Sequence, residues 1–409
     1  MTEPAALPLD GIVVADFSRV LAGPLATAMM ADLGAAVVKV ERPGSGDDTR
    51  HWGPPWTEHG SSYFASANRS KLSVTLDLAD PEDLAMARRL AAHADVLVEN
   101  FKDGALARYG LDHATVSATN PGVVYCSITG FGSRAGAALP GYDFLVQAVG
   151  GLMSVTGEPG GDPTQVGVAL VDVLTSKDAL AGILAALRVR DRTGVGQRVE
   201  VNLLSSLLGS MVNQASAYLT TGSAPGRMGN QHPSIAPYET LHCQDGLLAV
   251  ACGNDAQFTR LAEVLGVPEL ASDPRFATNS ARVAHRGDLV AALEQPLHDQ
   301  GVDTWVDVLT AAGVPAGKVG DLASAFELAT SLGLNPVVDM GPDRPGQVRH
   351  PVSYSATPVT HYAPPPTLGQ HDDDVRRLLD SLPDPPSATQ SATQSTAQPA
   401  ATNRTEETR

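Results

Sequence analysis

An apolar segment, a helical segment and a second apolar segment follow one another at the start of the chain, and this order constrains the fold most. Residues 11–17 form a short apolar run that predicts a buried strand. Residues 21–33 are rich in Ala, Met and Leu, and Pro24 suits a first helical turn because its missing N–H needs no partner there. Residues 35–41 predict the returning strand. Two parallel strands joined by a helical crossover are therefore expected.

The same pattern repeats further along the chain. Residues 71–78 alternate apolar and polar side chains, and Asp80 followed by Pro81 predicts the start of a helix. Residues 95–99 and 122–129 predict further strands. We therefore predict an α/β fold whose large domain is an open, doubly wound, mainly parallel and Rossmann-like sheet. Ligands bind such sheets at the carboxyl ends of the strands.

Composition divides the chain into five segments. The large domain is predicted over residues 1–219, and residues 220–233 form a linker rich in Gly, Ser, Pro and Asn. Short strands and helical segments predict a small α+β domain over residues 234–322. Residues 323–381 contain a Pro-rich stretch at residues 350–371 and are expected to return to the large domain. Residues 382–409 contain almost no large apolar side chain, which predicts a disordered tail.

Several classes of protein are disfavoured by the composition and by missing motifs. The net charge of −17 argues against nucleic-acid binding, which needs a basic surface. Three cysteines without a CxxC spacing argue against a disulfide framework or a zinc site. Residues 313–318 resemble a phosphate-binding P-loop, but their spacing is too short. No signal peptide or membrane span is recognisable, so we expect a cytoplasmic protein without a metal or a membrane partner.

Asp172 is an unusual acidic residue because it ends an apolar run. Residues 166–171 predict a strand, and a helix is predicted over residues 176–190. Asp172 could therefore cap that helix, since Asp is a preferred N-cap residue. It could equally be a partly buried catalytic carboxylate at the mouth of the sheet. The residue type alone leaves both interpretations open.

Several ordered segments resemble the class III CoA-transferases, a family that includes formyl-CoA and carnitine CoA-transferases and the alpha-methylacyl-CoA racemases. The resemblance covers residues 6–380. The matching positions are residues 16–24 (DFSRVLAGP), 32–42 (DLGAAVVKVER), 44–50 (GSGDDTR) and 98–101 (VENF), Arg108, Tyr142, Asp143, Asp172, and residues 192–197 (RTGVGQ) and 313–316 (GVPA).

The resemblance implies that Asp172 is a covalent nucleophile. The expected reaction moves coenzyme A from an acyl-CoA to a carboxylic acid through an aspartyl anhydride and an aspartyl-CoA thioester. Coenzyme A is then a substrate, and no permanently bound cofactor is expected. A carboxylate with a reference pKa of ~3.9 would be ionised at neutral pH without a partner base.

The family match also assigns roles to other residues. Asp143 should orient the site or shift the pKa of Asp172, although it could instead cap the helix that follows it. Arg42 and Arg108 should contact the nucleotide end of coenzyme A, although either could be a solvated surface charge. The remaining residues expected along the coenzyme path are Arg19, Val20, Ala22, Asn100 and Phe101.

Two other functions are compatible with parts of the sequence. The racemases carry His directly before the second acid, whereas this chain carries Tyr142, a much weaker base with a reference pKa of ~10. A CoA-binding protein without catalysis would keep Arg42 and Arg108 but would not need Asp172. Residues 226–231 match a glycine-rich loop of the formyl-CoA transferases but contain fewer glycines. The resemblance further implies an interlocked homodimer.

Overall fold

The computed structural model describes residues 6–383, and the chain folds into two compact units. The first unit contains residues up to Gly150, Gly167–Ala215 and the chain from Val337 onward, and the second contains Gly151–Val166 and Ser216–Pro336. The finer domain boundaries given above stay predictions. Most of the predicted disordered tail, residues 384–409, lies outside the described residues.

The strands, in chain order, are β1 (Val13–Asp16), β2 (Ala36–Glu41), β3 (Trp56–Thr57), β4 (Gly60–Ser61), β5 (Lys71–Thr75), β6 (Val96–Glu99), β7 (Val124–Thr129), β8 (Arg198–Asn202), β9 (Tyr238–His242), β10 (Leu247–Ala251), β11 (Ala316–Lys318), β12 (Val337–Val338) and β13 (Gln347–Val348).

The α-helices, in chain order, are α1 (Ala22–Asp32), α2 (Ser62–Ser66), α3 (Pro81–His93), α4 (His113–Thr119), α5 (Asp143–Val149), α6 (Leu152–Val155), α7 (Leu170–Thr193), α8 (Leu203–Ser210), α9 (Val212–Thr221), α10 (Asp255–Val264), α11 (Asn279–Ala284), α12 (Arg286–Leu297), α13 (Val302–Ala311), α14 (Leu322–Ser331) and α15 (Asp372–Ser381).

A six-stranded sheet forms the centre of the first unit. Its strand order is β5-β2-β1-β6-β7-β8, and every neighbouring pair is parallel. The predicted parallel sheet is therefore confirmed. The order of the strands reverses between β1 and β6, and this topological switch point is where doubly wound sheets open a crevice for ligands.

Both faces of this sheet are covered, which explains the nearly continuous apolar runs in its strands. On one face, Val38 and Leu97 pack with Leu90 of α3 and with Val375 and Leu379 of α15. On the other face, α1 packs against α7. Consecutive residues of β2 and β6 are therefore buried, because their side chains alternate between two packed layers.

The second unit has its own core. The antiparallel strands β9, β10 and β11 form a three-stranded sheet with β10 in the centre. Leu248 and Val250 of β10 pack with side chains of α10, α12 and α13, including Phe258, Leu293 and Trp305. This unit thus buries an apolar cluster without using the parallel sheet.

Two sequence predictions need correction. Residues 166–169 form no strand, and the helix expected from Ser176 already begins at Leu170. Helices α8 and α9 are separated near Met211 because Val212 has a φ of 32°. Helices α11 and α12 are likewise separate, with His285 between them.

Within residues 6–383, no helix is long and apolar enough to span a membrane. A cytoplasmic location stays a prediction.

Candidate active site

The loops that follow β1 and β6 meet at the switch point of the sheet. Asn100, directly after β6, bonds the backbone of Arg19, which follows β1. Its Oδ1 accepts the Arg19 N–H at 2.9 Å, and its Nδ2 donates to the Arg19 carbonyl at 2.7 Å. The Arg19 guanidinium also lies over the Phe101 ring, 5.2 Å from its centroid. The crevice predicted at this edge is therefore built from residues 19, 100 and 101.

A groove of the first unit contains Asp172 together with five of the seven residues predicted to bind coenzyme A. Its volume is about 1240 Å³, which includes the mouth that opens to solvent. The groove is lined by Arg19, Val20, Ala22, Asn100, Phe101, Ile128, Gly130, Phe131, Gly132, Leu139, Gly141, Tyr142, Asp172 and Leu203, among others.

Arg42 and Arg108 line a neighbouring cavity of the same unit. Arg19 and Phe101 line this cavity as well as the groove. Both Arg42 and Arg108 are exposed, and neither guanidinium is ion-paired with a carboxylate within the described chain. Unpaired guanidinium groups beside an aromatic ring suit an anionic nucleotide.

Asp172 is the third residue of α7, and its backbone is held by Asp143. The Oδ1 of Asp143 accepts the N–H of Val171 at 2.7 Å and the N–H of Asp172 at 3.2 Å. The Asp143 Oδ2 accepts from the amide of Gln147 at 2.7 Å. Ala169 is the N-cap residue of α7 and makes no side-chain cap, so Asp143 supplies the missing acceptor from a distant helix.

Neither acid has the capping role considered from the sequence. Asp172 lies inside the first turn of α7, and Asp143 is the first residue of α5, whose N-cap is Tyr142. Asp172 lines the groove.

The pKa of Asp172 is strongly raised. Burial is the larger cause and the negative charge of Asp143 is the second, and together they raise the pKa of Asp172 to about 7. The expectation of a fully ionised carboxylate at neutral pH is therefore wrong, because it used the value for a solvated side chain. The positive end of the α7 dipole acts in the opposite direction and favours the anion.

Tyr63 is a residue near this site that no sequence pattern indicated. Burial raises the pKa of Tyr63 to about 12, and the charges of Asp172, Asp143 and Asp47 act in the same direction. Its ring contacts Trp52 edge-on at a centroid distance of 5.2 Å. A neutral phenol therefore lies within electrostatic range of the two acids.

Gly130 and Gly141 bring two stretches of groove backbone into contact. A Cβ added to either residue would lie 2.4 Å from the Cα of the other. This contact is too short, and it cannot be relieved easily because the neighbouring atom belongs to the backbone. No sequence pattern indicated this contact between the two glycines. In contrast, residues 226–231 bond to residues 157 and 161 within the second unit.

No group of three or more side chains suited to a metal ion occurs within residues 6–383.

Comparisons with known proteins show which family the chain belongs to. Residues 9–372 match the model of CoA-transferase family III. The chain is 42% identical to the succinate–glutarate CoA-transferase of Agrobacterium fabrum, over 92% of this chain and 96% of that protein. It is 41% identical to the acetyl-CoA:oxalate CoA-transferase of Acetobacter aceti, over 82% and 86% of the two chains.

A crystal structure of a CAIB/BAIF family protein from Brucella suis superposes with a TM-score of 0.83 at 44% identity, covering 92% of this chain and 100% of that one. The chain therefore belongs to the class III CoA-transferase family. It is an enzyme of the CoA-transferase class, and the resemblance seen in the sequence is confirmed.

We predict that Gly130→Ala narrows the groove. The new Cβ must displace Gly141 backbone, so we expect a lower melting temperature and a kcat/KM for acyl-CoA reduced on the order of tenfold. Gly209→Ala on α8 is the matched control, because its Cβ would meet open space and Ala favours a helix. Steady-state kinetics and thermal melts compare the two variants. The same kcat/KM and the same melting temperature in both would contradict the prediction.

Proposed function

We propose that the enzyme transfers coenzyme A from an acyl-CoA to a carboxylic acid with Asp172 as its covalent nucleophile. The observation that carries the proposal is the position of Asp172. Asp172 lines the same groove as Val20, Asn100 and Phe101, at the crevice where parallel sheets bind ligands. Asp143 orients the first turn of α7 through its bonds to the backbone and keeps Asp172 from ionising too readily.

The first half of the reaction forms the aspartyl thioester. A carboxylate oxygen of Asp172 attacks the thioester carbonyl, the C–S bond breaks, and the departure of the coenzyme A thiolate leaves a mixed anhydride. The thiolate then attacks the Asp172 acyl carbon and expels the donor acid as its carboxylate. The acceptor carboxylate attacks this aspartyl thioester, and the same steps in reverse release the new acyl-CoA.

Each step passes through an oxyanion that needs hydrogen-bond donors. We propose that backbone N–H groups of the glycine-containing segment 130–141 supply them, because this segment lines the groove with Asp172. One such donor is worth roughly 3 kcal/mol in comparable enzymes.

The coenzyme is proposed to extend from Asp172 to the second cavity. Val20 and Ala22 would contact the pantetheine chain, and Arg19 and Phe101 would continue the path because they line both cavities. Arg42 and Arg108 would then bind the phosphates of the nucleotide end.

The named relatives suggest the acids to test first. Two are called succinate–glutarate and succinyl-CoA:glutarate CoA-transferases, and one is called an acetyl-CoA:oxalate CoA-transferase. We propose that this enzyme likewise uses short dicarboxylic acids, with succinyl-CoA as donor and glutarate as acceptor. Mass spectrometry of products from a panel of acyl-CoAs and acids would rank the pairs.

Asp172→Ala should abolish transfer of coenzyme A, by a factor of about 10⁴ or more, because the variant lacks the carboxylate that forms the thioester. Wild-type protein incubated with acyl-CoA and then hydroxylamine should carry a hydroxamate on Asp172, detectable by peptide mass spectrometry. Asp178→Asn, an exposed acid on the same helix, is the matched control and should retain activity.

Transfer that survives in Asp172→Ala would contradict the nucleophile. Exchange of the alpha proton in deuterated water without any acceptor acid would instead favour the racemase reaction.

The pH dependence of transfer should report the raised pKa of Asp172. Only the ionised carboxylate attacks, so kcat/KM should increase about tenfold per pH unit below pH 7 and level off above about pH 8. Asp143→Asn keeps an oxygen that accepts from the α7 backbone but removes the negative charge beside Asp172. The pH profile of kcat/KM for this variant should therefore move to lower pH. A wild-type rate that is flat from about pH 5 to 8 would contradict this assignment.

We also propose that the chain forms a homodimer. Helix α14 buries none of its residues in the single chain, and Leu322 and Leu328 are 79% and 59% exposed. A ten-residue helix gains little stability alone, so this apolar surface favours a covering partner. Light scattering should give twice the 42.4 kDa chain mass. Leu328→Asp should lower that mass and Glu327→Gln should not, whereas a stable wild-type monomer would exclude the dimer.

A further inference from the structure

The loop between β1 and α1 contains a residue in an unfavourable backbone conformation. Val20 has a φ of 70°, in the left-handed region that β-branched side chains rarely adopt. Val20 also lines the groove beside Asp172. Such a conformation persists only where surrounding interactions hold it, and it is found most often at functional sites.

Two buried, oppositely charged side chains hold this loop on either side of Arg19. The Lys39 ammonium donates to the Ser18 carbonyl at 3.0 Å and to Asp47 at 2.9 Å. Both Asp47 carboxylate oxygens accept the Val20 N–H at 3.3 Å. The side chains of Lys39 and Asp47 are 1% and 0% exposed, so their bonds to the loop are shielded from water.

Asp47 is well placed for this task because its other bonds fix its own orientation. One carboxylate oxygen accepts the N–H and the hydroxyl of Thr49 at 3.0 and 2.8 Å, and the other accepts from Lys39. The carboxylate is therefore held rigidly, and the Val20 N–H meets an acceptor whose position does not depend on the ligand.

We propose that Lys39 and Asp47 are positioning residues that hold Val20 in its left-handed conformation and so shape the loop that binds coenzyme A. The inference rests on the proposed function, because that function makes this groove the coenzyme site. Lys39 and Asp47 would affect coenzyme A binding only through the loop. Their charges are already satisfied by each other and by hydrogen bonds to backbone groups.

An effect on the conformation of the loop can be distinguished from an effect on the stability of the fold. This requires a residue at position 20 that adopts a positive φ without cost. Glycine does so, and Val20→Gly therefore removes the need for an external restraint. Asp47→Asn keeps the shape of the side chain but leaves only one carbonyl oxygen to accept hydrogen bonds. The two changes should be coupled if Asp47 acts on the backbone of residue 20.

Isothermal titration calorimetry with free coenzyme A tests this coupling. Asp47→Asn should weaken binding about tenfold relative to wild type, while in the Val20→Gly background the same change should weaken it less than about threefold. With acyl-CoA, Asp47→Asn should raise KM more than it lowers kcat, because Asp172 is untouched. Asp80→Asn, an exposed helix cap that Asn can replace, is the matched control and should bind like wild type.

Two results would overturn the inference: wild-type affinity in Asp47→Asn, or an undiminished loss in the Val20→Gly background. If Asp47→Asn does not fold because Lys39 is left unpaired, the double variant Lys39→Met/Asp47→Asn removes both charges together. The folded double variant should bind coenzyme A about tenfold more weakly than wild type, and Val20→Gly should again reduce this loss. An affinity for coenzyme A equal to that of wild type would again overturn the inference.

These results remain distinct from failure of the proposed function. A wild-type protein that binds no coenzyme A would contradict the proposed function itself, whereas equal binding by wild type and Asp47→Asn would contradict only the positioning role.

Discussion

The reversal of strand order between β1 and β6 is the constraint on which the site depends. The chain that leaves β1 forms α1, which packs with α7, whereas the chain that leaves β6 adds Leu106 and Leu111 to the core on the opposite face. Two loops that diverge to opposite faces cannot close over the edge between them. The crevice is therefore a consequence of topology, and the residues around it decide its chemistry.

Buried charges bond the backbone of the chain that follows β1: Asp16 accepts the Ser18 N–H at 3.0 Å, and Lys71 donates to the Pro24 carbonyl at 2.8 Å. Burial alone would raise the pKa of Asp16, but Lys71, Lys39 and two hydroxyl groups lower it to about 2. Burial lowers the pKa of Lys71 to about 8 even though Asp16 opposes the change. Ion pairs of this kind are costly to bury and often add little stability. Their bonds to the backbone of Ser18 and Pro24 indicate that they contribute to fixing backbone geometry.

Much of the fold was predictable because the apolar runs of β1, β2 and β6 are local signals. The predicted strand at residues 166–171 was wrong because an apolar run does not distinguish a strand from the approach to a buried helix.

The site was less predictable because its properties depend on distant residues. Asp143 accepts N–H groups 28 and 29 positions away, and it contributes with burial to the raised pKa of Asp172. The φ of Val20 likewise depends on Asp47, 27 positions further along the chain.

The contact between Gly130 and Gly141 has a consequence for how the range of acids can change. Where two backbones touch, the width of the groove is set by the main chain and cannot be adjusted by exchanging one side chain for another. Under the proposed function, variation in the size of the accepted acid must then come from the neighbouring side chains of Phe131, Leu139 and Tyr142. Evolution or engineering could thus alter selectivity at these positions while the two glycines preserve a common passage for substrates.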